Sequence, residues 1–238
     1  MRVPLPDRGA RAELADVASG RGGGVDLSAL HALPRAAESR PAAVLMLFGV
    51  LDDLPSDRDA RDAAVSADLD VLLLARAATL RSHAGQIAFP GGRVDPADDG
   101  PVATALREAR EETGLDPEGV DVLGVLDEVP LAYSRHVVSP VLGWWRQPTP
   151  VGVVDERESS DVFRAPVADL LDPDRRGTVV VRRDGQTWRG PAFTVPHAAG
   201  RHLVWGFTAI LLDRLFDRLG WAEPWDRARE LPLEIPDR

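Results

Sequence analysis

Short, continuous runs of apolar residues alternate with polar stretches along this chain. The first two runs, AVLMLFGV and LDVLLLA, are too short for buried helices and indicate buried strands. The predicted strands lie at residues 43–50, 69–75, 120–129, 137–143, 178–183 and 187–193. The last two form a hairpin pattern around Asp184 and Gly185. Residues 76–92 are predicted to form a loop, a strand and a turn.

Helical spacing of apolar residues is clearest at 101–113, which predicts one buried face. Pro101 stands where a first-turn proline is tolerated, and Gly114 stands where a left-handed residue ends a helix. A second helix is expected behind Pro166, and a final amphipathic helix at 205–219. Strands and helices mix without strict alternation. The pattern therefore predicts an α+β fold, with a mixed β-sheet flanked by helices.

The composition divides the chain into three parts. Residues 1–40 are rich in Arg, Ala, Gly and Pro, and we expect a loosely attached N-terminal extension with a short helix or two. Residues 41–220 are expected to form one domain, in which the acidic stretch 52–68 is a surface excursion. Residues 221–238 are expected to be a C-terminal tail.

The charge balance narrows the classes of partner. The chain has 28 basic and 38 acidic residues, a net charge of -10. Such a surface repels nucleic acids and anionic membranes, so neither is expected as a partner. Cysteine is absent, which excludes disulfides, thiolate catalysis and zinc–thiolate sites. With no apolar signal core and no run long enough to cross a bilayer, the chain is predicted to be cytoplasmic.

The segment REAREETGL places three carboxylates on one face of the helix predicted at 101–113. Glu108 lies three and four residues before Glu111 and Glu112. Like charges at this spacing destabilise a helix by roughly 0.2–0.5 kcal/mol per pair. A hard divalent cation would offset this repulsion, since Mg²⁺ prefers carboxylate oxygens and substrate phosphates. The alternative is an ordinary solvated charged face. The backbone of Gly91 and Gly92 upstream could approach a cation or phosphate closely, since no Cβ intervenes.

These residues resemble the Nudix box, the signature of the Nudix hydrolase family. Gly92 opens the box, and residues 107–115 match its end position for position. The resemblance implies a Nudix-type α/β/α sandwich in which Glu108, Glu111 and Glu112 bind Mg²⁺ or activate water, with Mn²⁺ as an alternative metal. Gly92 is included among the metal ligands. Arg107 would be the buried arginine that holds the carboxylates in place.

Two departures from the family pattern concern the start of the box. The spacing from Gly92 to Arg107 is one residue longer than the standard box. The early Glu is missing, and Asp98 or Asp99 occupies its neighbourhood. The shorter acid raises the question of whether the Glu–Arg support of the family is kept.

A second signature lies directly upstream, and it resembles the coenzyme A pyrophosphatase branch of the Nudix family. The matching positions are Arg76, Leu80, Arg81, His83, Gly85, Gln86, Ile87, Phe89, Pro90, Gly91 and Gly92. The longer box is also typical of that branch. The resemblance implies that substrate is bound by Arg76, Arg81, His83, Gln86, Gly91 and Gly92. Arginines suit phosphate groups because they form charge-assisted hydrogen bonds. The alternatives are ion pairs with the preceding acidic loop for the arginines, and a structural hydrogen bond for His83.

The resemblance implies hydrolysis of a diphosphate, through attack of water on one phosphorus. For coenzyme A the products are 3′-phosphoadenosine 5′-phosphate and 4′-phosphopantetheine. One of the box glutamates, or Glu158 in a later acidic loop, would take the proton. The alternative is that Glu158 lies in an ordinary exposed acidic loop and has no catalytic role. The expected partner is a small-molecule diphosphate, and a homodimer is kept as an alternative to a monomer.

Other functions remain open at this point. The same chemistry could act on ADP-ribose, dinucleotides or oxidised nucleoside triphosphates. A Nudix domain that senses a nucleotide without catalysis is a second alternative, although all three box carboxylates are present. A third is a binding protein that engages its partner through residues 1–40.

Overall fold

The computed structural model describes residues 9–21, 39–50, 65, 68–80, 83–131, 135–183, 185–197 and 200–233. The chain forms two compact units, and each unit is built from two separate stretches of sequence. The first unit comprises Met1–Gly49 and Pro90–Pro150. The second comprises Val50–Phe89 and Val151–Arg238.

A mixed sheet forms the centre of the first unit. Its strands are β1 (Arg40–Val50), β4 (Gly91–Arg93), β5 (Val120–Val125), β6 (Val129–Leu131) and β7 (His136–Trp145). Strand β1 runs parallel to β7, with Val44 opposite Pro140, and pairs antiparallel with β4 on its other side. Strands β5 and β6 both pair antiparallel with β7. The side chains of β1 from Leu45 to Phe48 are buried and form part of the core.

Two helices of the first unit contact this sheet. Helix α1 (Ala10–Ala18) contacts β5 and β7 and buries Leu14 and Val17. Its Arg11 forms an ion pair with Asp121 at 2.8 Å. This helix is therefore docked on the sheet, whereas a loosely attached segment was expected, because its two apolar side chains need a partner surface. Helix α2 (Gly100–Thr113) contacts β4, β5 and β7.

The second unit contains two sets of antiparallel strands. In one, β2 (Leu69–Arg76) lies between β3 (Ile87–Ala88) and β8 (Ser159–Pro166). The other is a meander of β9 (Arg176–Arg183), β10 (Gln186–His197) and β11 (Gly200–Val204). Strand β11 contacts β3, and helix α3 (Val167–Leu171) contacts β2, β8 and β10. Helix α4 (Gly206–Leu219) packs on β10.

Strand β9 also bonds to the C-terminal segment of the second unit. The Thr178 amide donates to the Arg229 carbonyl at 2.8 Å, and the Leu231 amide donates to the Thr178 carbonyl at 2.9 Å. Trp221, which follows α4, is buried and stacks on Phe216. Side-chain packing and main-chain hydrogen bonds thus tie the residues after α4 to this unit.

The predicted fold class, α+β with a mixed sheet flanked by helices, is confirmed. The helix predicted at 101–113 is α2, and Gly114 ends it with a left-handed φ of 73°. The helix behind Pro166 and the final helix are also present, but the strand β8 that precedes Pro166 and the strand β11 were missed. Most of the predicted excursion at 52–68 lies outside the described residues. Within the described part of the chain, no helix combines the length and apolar character needed to span a bilayer.

Candidate active site

The three box glutamates lie along the C-terminal half of α2 and differ in exposure. The side chain of Glu108 is 18% exposed, whereas that of Glu111 is 59% exposed. Glu112 is half-buried. The adjoining stripe of the helix contains the buried Ala105 and Ala109, which anchor it in the core. This amphipathic arrangement fixes the face on which the carboxylates lie.

Strand β4 runs directly beside these carboxylates. The Gly91 amide donates to Glu112 Oε2 at 2.9 Å. A Cβ added at Gly92 would overlap the Glu108 carboxylate, so a larger residue there would displace that side chain. The paired glycines therefore let main chain and acidic side chains approach within contact distance. This close approach is to the glutamates, and the expected approach of the glycine backbone to a cation or phosphate stays a prediction.

Arg107 connects the acidic groups of this region. It donates to Asp98 through Nε and Nη2, each at 2.9 Å, and to the Arg93 carbonyl at 3.0 Å. Its Nη1 donates to Glu108 at 3.0 Å and to Glu111 at 3.1 Å. The side chain is 29% exposed, so it is half-buried and not the buried arginine expected. Arg107 nevertheless holds the carboxylates of Glu108 and Glu111 in place through its hydrogen bonds to them.

Electrostatic effects differ between the acids that contact Arg107. Burial raises the pKa of Glu108, and the hydrogen bond from Arg107 offsets part of that shift. The hydrogen bonds from Arg107 hold the pKa of Asp98 well below its usual range. The pKa of Arg107 itself is raised, chiefly by its hydrogen bonds to Asp98. Glu108 is thus a carboxylate whose negative charge is incompletely compensated by the protein.

The donor set on α2 fits a hard divalent cation. Carboxylate oxygens are the ligands that Mg²⁺ prefers, and Glu108, Glu111 and Glu112 supply them from one helix face. The crowding of Gly92 against Glu108 leaves no side chain between the main chain and that carboxylate. The backbone of β4 and the carboxylates of α2 can therefore share one small ion.

The second unit gathers another group of predicted site residues at the end of β2. The Arg76 amide donates to the Gln86 carbonyl at 3.0 Å, and the Ala77 amide donates to the Glu158 carbonyl at 2.9 Å. His83 Nδ1 lies 2.7 Å from Gln86 Oε1. These contacts bring Arg76, His83, Gln86 and Glu158 into one neighbourhood. Arg81 lies outside the described residues.

Within this neighbourhood the side chains differ in what they contact. His83 has a left-handed φ of 58°, which is unusual for a residue with a Cβ, and its ring faces Gln86. The half-buried Arg76 has a buried Nε without a hydrogen-bond partner among the described residues. Glu158 is exposed on a turn that Asp155 begins. The His83–Gln86 contact agrees with the structural reading of His83.

Sequence reasoning missed two further features. The sequence places Asp98 near the position of the missing early Glu. It did not show that each carboxylate oxygen of Asp98 would accept a hydrogen bond from Arg107. A cluster of Asp161, His197 and His202 in the second unit was also missed. Its members come from three strands: β8 and β11 were not predicted, and β10 was predicted too short to include His197. Nothing in the local pattern around them indicates that they meet.

Comparison with known proteins gives consistent results. Residues 57–177 match the NUDIX domain family. A Cronobacter sakazakii protein described as "Uncharacterized Nudix hydrolase NudL" is 41% identical over 150 residues, covering 63% of this chain and 75% of the relative. A Salmonella paratyphi B protein of the same description is 40% identical over 156 residues with the same coverage.

Among solved structures, a Nudix hydrolase from M. smegmatis, RenU, aligns with a TM-score of 0.47 and 19% identity. The alignment covers 79% of this chain and 90% of that one. The family match spans half of the chain and includes both the paired glycines and the three glutamates of α2. This chain belongs to the Nudix family.

Proposed function

We propose that this chain is a Mg²⁺-dependent Nudix pyrophosphohydrolase that cleaves the diphosphate of coenzyme A or its derivatives. The products would be 3′-phosphoadenosine 5′-phosphate and 4′-phosphopantetheine. The observation that carries the proposal is the contact between the paired glycines of β4 and the glutamates of α2, where a Cβ at Gly92 would displace the Glu108 carboxylate. The carboxylates of this arrangement are unfavourable for the helix itself, because they crowd negative charge near its C-terminal end, where the helix dipole is already negative.

Three glutamates and one main-chain group would hold the metal. We assign Glu108, Glu111 and Glu112 as carboxylate ligands and the backbone of Gly92 as a fourth contact. Bound Mg²⁺ would lower the pKa of the water it holds and would screen the charge of the phosphate oxygens. Mn²⁺ would be able to replace Mg²⁺ because it accepts the same ligands.

The protein groups have separate tasks in this proposal. Arg107 keeps Glu108 and Glu111 in place through hydrogen bonds of 3.0 and 3.1 Å, so the carboxylates need not reorganise when substrate binds. The Gly91 amide does the same for Glu112. Water attacks one phosphorus of the diphosphate, and one of these glutamates, or Glu158, accepts the proton of that water. As the new P–O bond forms, the bond from this phosphorus to the bridging oxygen breaks and the other phosphate leaves.

The choice of coenzyme A rests on the residues before the box. The pattern at 72–92 resembles the coenzyme A pyrophosphatase branch at many coincident positions. Coenzyme A carries a 3′-phosphate beside its diphosphate, and Arg76 and Arg81 would bind these anions. Arg76 is half-buried at the end of β2, so part of its side chain is open to a ligand. We assign His83 and Gln86, which contact each other, to the shaping of this loop around the substrate.

A substrate panel tests the proposal. Coenzyme A, an acyl-coenzyme A, ADP-ribose, a dinucleoside polyphosphate and an oxidised nucleoside triphosphate are incubated with the full chain and Mg²⁺, and products are identified by mass spectrometry. We expect the highest kcat/KM for coenzyme A or its acyl form. A clear preference for another diphosphate would overturn the substrate, and no hydrolysis of any diphosphate would overturn the activity.

Charge-neutral variants of the glutamates test the metal ligands. Glu111→Gln and Glu112→Gln should each lower kcat by orders of magnitude while the circular dichroism spectrum stays unchanged. Glu118→Gln, an exposed change in the turn after α2, is the matched control and should retain full activity. Full activity in both test variants would contradict the assignment.

Two coarser expectations accompany the proposed activity. A coenzyme A hydrolase without cysteine suits the cytoplasm, where cell fractionation of the native protein would locate it. Homodimerisation is assessed by light scattering of the purified chain at micromolar concentration.

A further inference from the structure

Asp161, His197 and His202 form a polar cluster in the second unit. The Nε2 atoms of both histidines point at the same carboxylate oxygen, Asp161 Oδ2, at 3.0 Å for His197 and 2.8 Å for His202. One ligand atom from each residue lies within 4.8 Å of the others. Three side chains from three different strands thus converge on one point.

The strand pairing of the β10–β11 hairpin places both histidines on one face. His202 lies opposite Val195, and His197 follows Val195 by two positions, so the two rings are diagonal neighbours. Their centroids are 4.3 Å apart. The regular hairpin, and not a loop, therefore sets the spacing of the two imidazoles.

Strand β8 supplies the third member and an aromatic neighbour. Phe163 follows Asp161 by two positions, so both side chains lie on the same face of β8. The Phe163 ring stacks on His202 with centroids 4.4 Å apart and an angle of 23°. Stacking restricts rotation of the imidazole and keeps its Nε2 aimed at Asp161.

The cluster is neither core nor free surface. The side chains of Asp161, His197 and His202 are 27%, 30% and 18% exposed. Small solutes can therefore reach these side chains, while the surrounding strands limit the movement of the side chains themselves.

Two imidazoles and one carboxylate select a different class of ion from the three glutamates of α2. Imidazole nitrogen favours Zn²⁺, Co²⁺, Ni²⁺ and Fe²⁺, whereas Mg²⁺ prefers sites made of oxygen alone. With metal–ligand bonds of about 2.0–2.2 Å, neighbouring ligand atoms in a tetrahedral site are about 3.3 Å apart. The Nε2–Oδ2 separations of 2.8 and 3.0 Å need to widen by only a few tenths of an ångström.

We propose that Asp161, His197 and His202 form a second divalent-metal site, of the zinc class, that fastens β8 to the β10–β11 hairpin. Three protein ligands leave one coordination position for water or another small ligand. The alternative is a metal-free triad in which both imidazoles donate hydrogen bonds to Asp161. The proposal does not depend on the substrate or on the hydrolytic activity.

Metal titration of the full chain distinguishes these readings. Zn²⁺ binding is followed by calorimetry and Co²⁺ binding by visible absorption, both in millimolar Mg²⁺ so that the all-oxygen ligands are saturated. We expect one equivalent of either ion to bind, with the stronger absorption bands of a low-coordinate, nitrogen-containing Co²⁺ site. At a hundredfold excess over Kd, Zn²⁺ should raise Tm by roughly 5–10 °C.

Variants locate the ion. His197→Gln and Asp161→Asn should each weaken Zn²⁺ binding by at least about 10-fold, a loss seen even when supporting residues of metal sites are changed. His136→Gln, on β7 of the first unit, is the matched control and should bind as wild type does. His197 is the more exposed histidine, so its variant should fold normally. The double variant Glu111→Gln/Glu112→Gln should retain the Co²⁺ bands.

Three outcomes would overturn the proposal. They are absence of stoichiometric Zn²⁺ binding in wild type, unchanged affinity in both His197→Gln and Asp161→Asn, and loss of the Co²⁺ bands in the double glutamate variant. The first would identify the cluster as the metal-free triad. The last would place the ion on α2 instead.

Discussion

Arg107 and Asp98 form a two-point ion pair in which Nε donates to Oδ1 and Nη2 donates to Oδ2, each at 2.9 Å. The Asp95 amide and the Thr104 hydroxyl also donate to Asp98 Oδ2, both at 2.8 Å. Asp98, and not Asp99, therefore occupies the role of the missing early glutamate. The shorter acid still supports Arg107, and Arg107 in turn contacts Glu108.

Asp98→Asn should lower kcat by about 10–100-fold, because an NH2 group replaces one of the two acceptor oxygens and cannot accept the second hydrogen bond from Arg107. Arg107 then holds the carboxylates less firmly. The measurement is steady-state hydrolysis at saturating Mg²⁺. The control is Asp99→Asn, an exposed acid one residue further on, which should leave kcat unchanged. Equal losses in both variants would show that the Asp98–Arg107 pair does not position the site.

Gly92→Ala should reduce kcat by about 100-fold or more, because the new Cβ overlaps the Glu108 carboxylate and displaces it from its partners. The far-ultraviolet circular dichroism of the variant should match that of wild type. Gly152→Ala is the control, since a Cβ there meets nothing within 4 Å. Near-normal activity of Gly92→Ala would mean that the close approach of β4 to Glu108 is not required.

Arg76→Gln should raise KM for coenzyme A by about 10-fold or more with a smaller effect on kcat, because it removes a charge-assisted contact to a phosphate. Arg182→Gln, at an exposed position of β9, is the control. A fall in kcat at constant KM would instead assign Arg76 to the chemical step.

The pH dependence of stability tests the environment of Asp70 on β2. Burial raises its pKa from 3.8 to about 7, although Arg164 lies 3.7 Å away and opposes the shift. A raised pKa means that the folded state holds a proton that the unfolded state has released. The contribution to stability is therefore present below pH 4 and lost as pH rises through 7, by roughly 2–4 kcal/mol.

Asp70→Asn should remove this fall of stability with pH. The free energy of unfolding of the variant, compared with that of wild type, should therefore increase between pH 4 and pH 8. Urea denaturation at several pH values measures the difference. Asp127→Asn, at an exposed position, should follow the wild-type curve. An unchanged slope in Asp70→Asn would show that Asp70 is ionised in the folded protein throughout.

Local patterns predicted those elements whose signals lie within the element itself. Helix α2 has a proline at its start, a glycine at its end and apolar residues at helical spacing, and its bounds differ from the prediction by one residue. Strands β1 and β2 are continuous apolar runs and were also found. Strand β8 was missed because its residues are mixed in polarity, and its pairing with β2 joins positions far apart in sequence, as Asp161 and Ala75 show.

The candidate site was predictable only in part for the same reason. The spacing of Glu108, Glu111 and Glu112 on one helix is a local property. The approach of Gly91 and Gly92 to those glutamates depends on how β4 pairs with β1, and the meeting of Asp161 with two histidines depends on three strands. Such contacts follow from tertiary pairing, which local periodicity does not encode.

Each unit is built from two separate stretches of the chain, and this affects folding during synthesis on the ribosome. The parallel pairing of β1 with β7 joins Arg40 to His136, so the nascent first strand must wait until the seventh has emerged. Pairing of β2 with β8 imposes a similar delay on the second unit. The exposed apolar run of β1 is an aggregation hazard throughout this interval, and a chaperone that shields it should increase the yield of native protein.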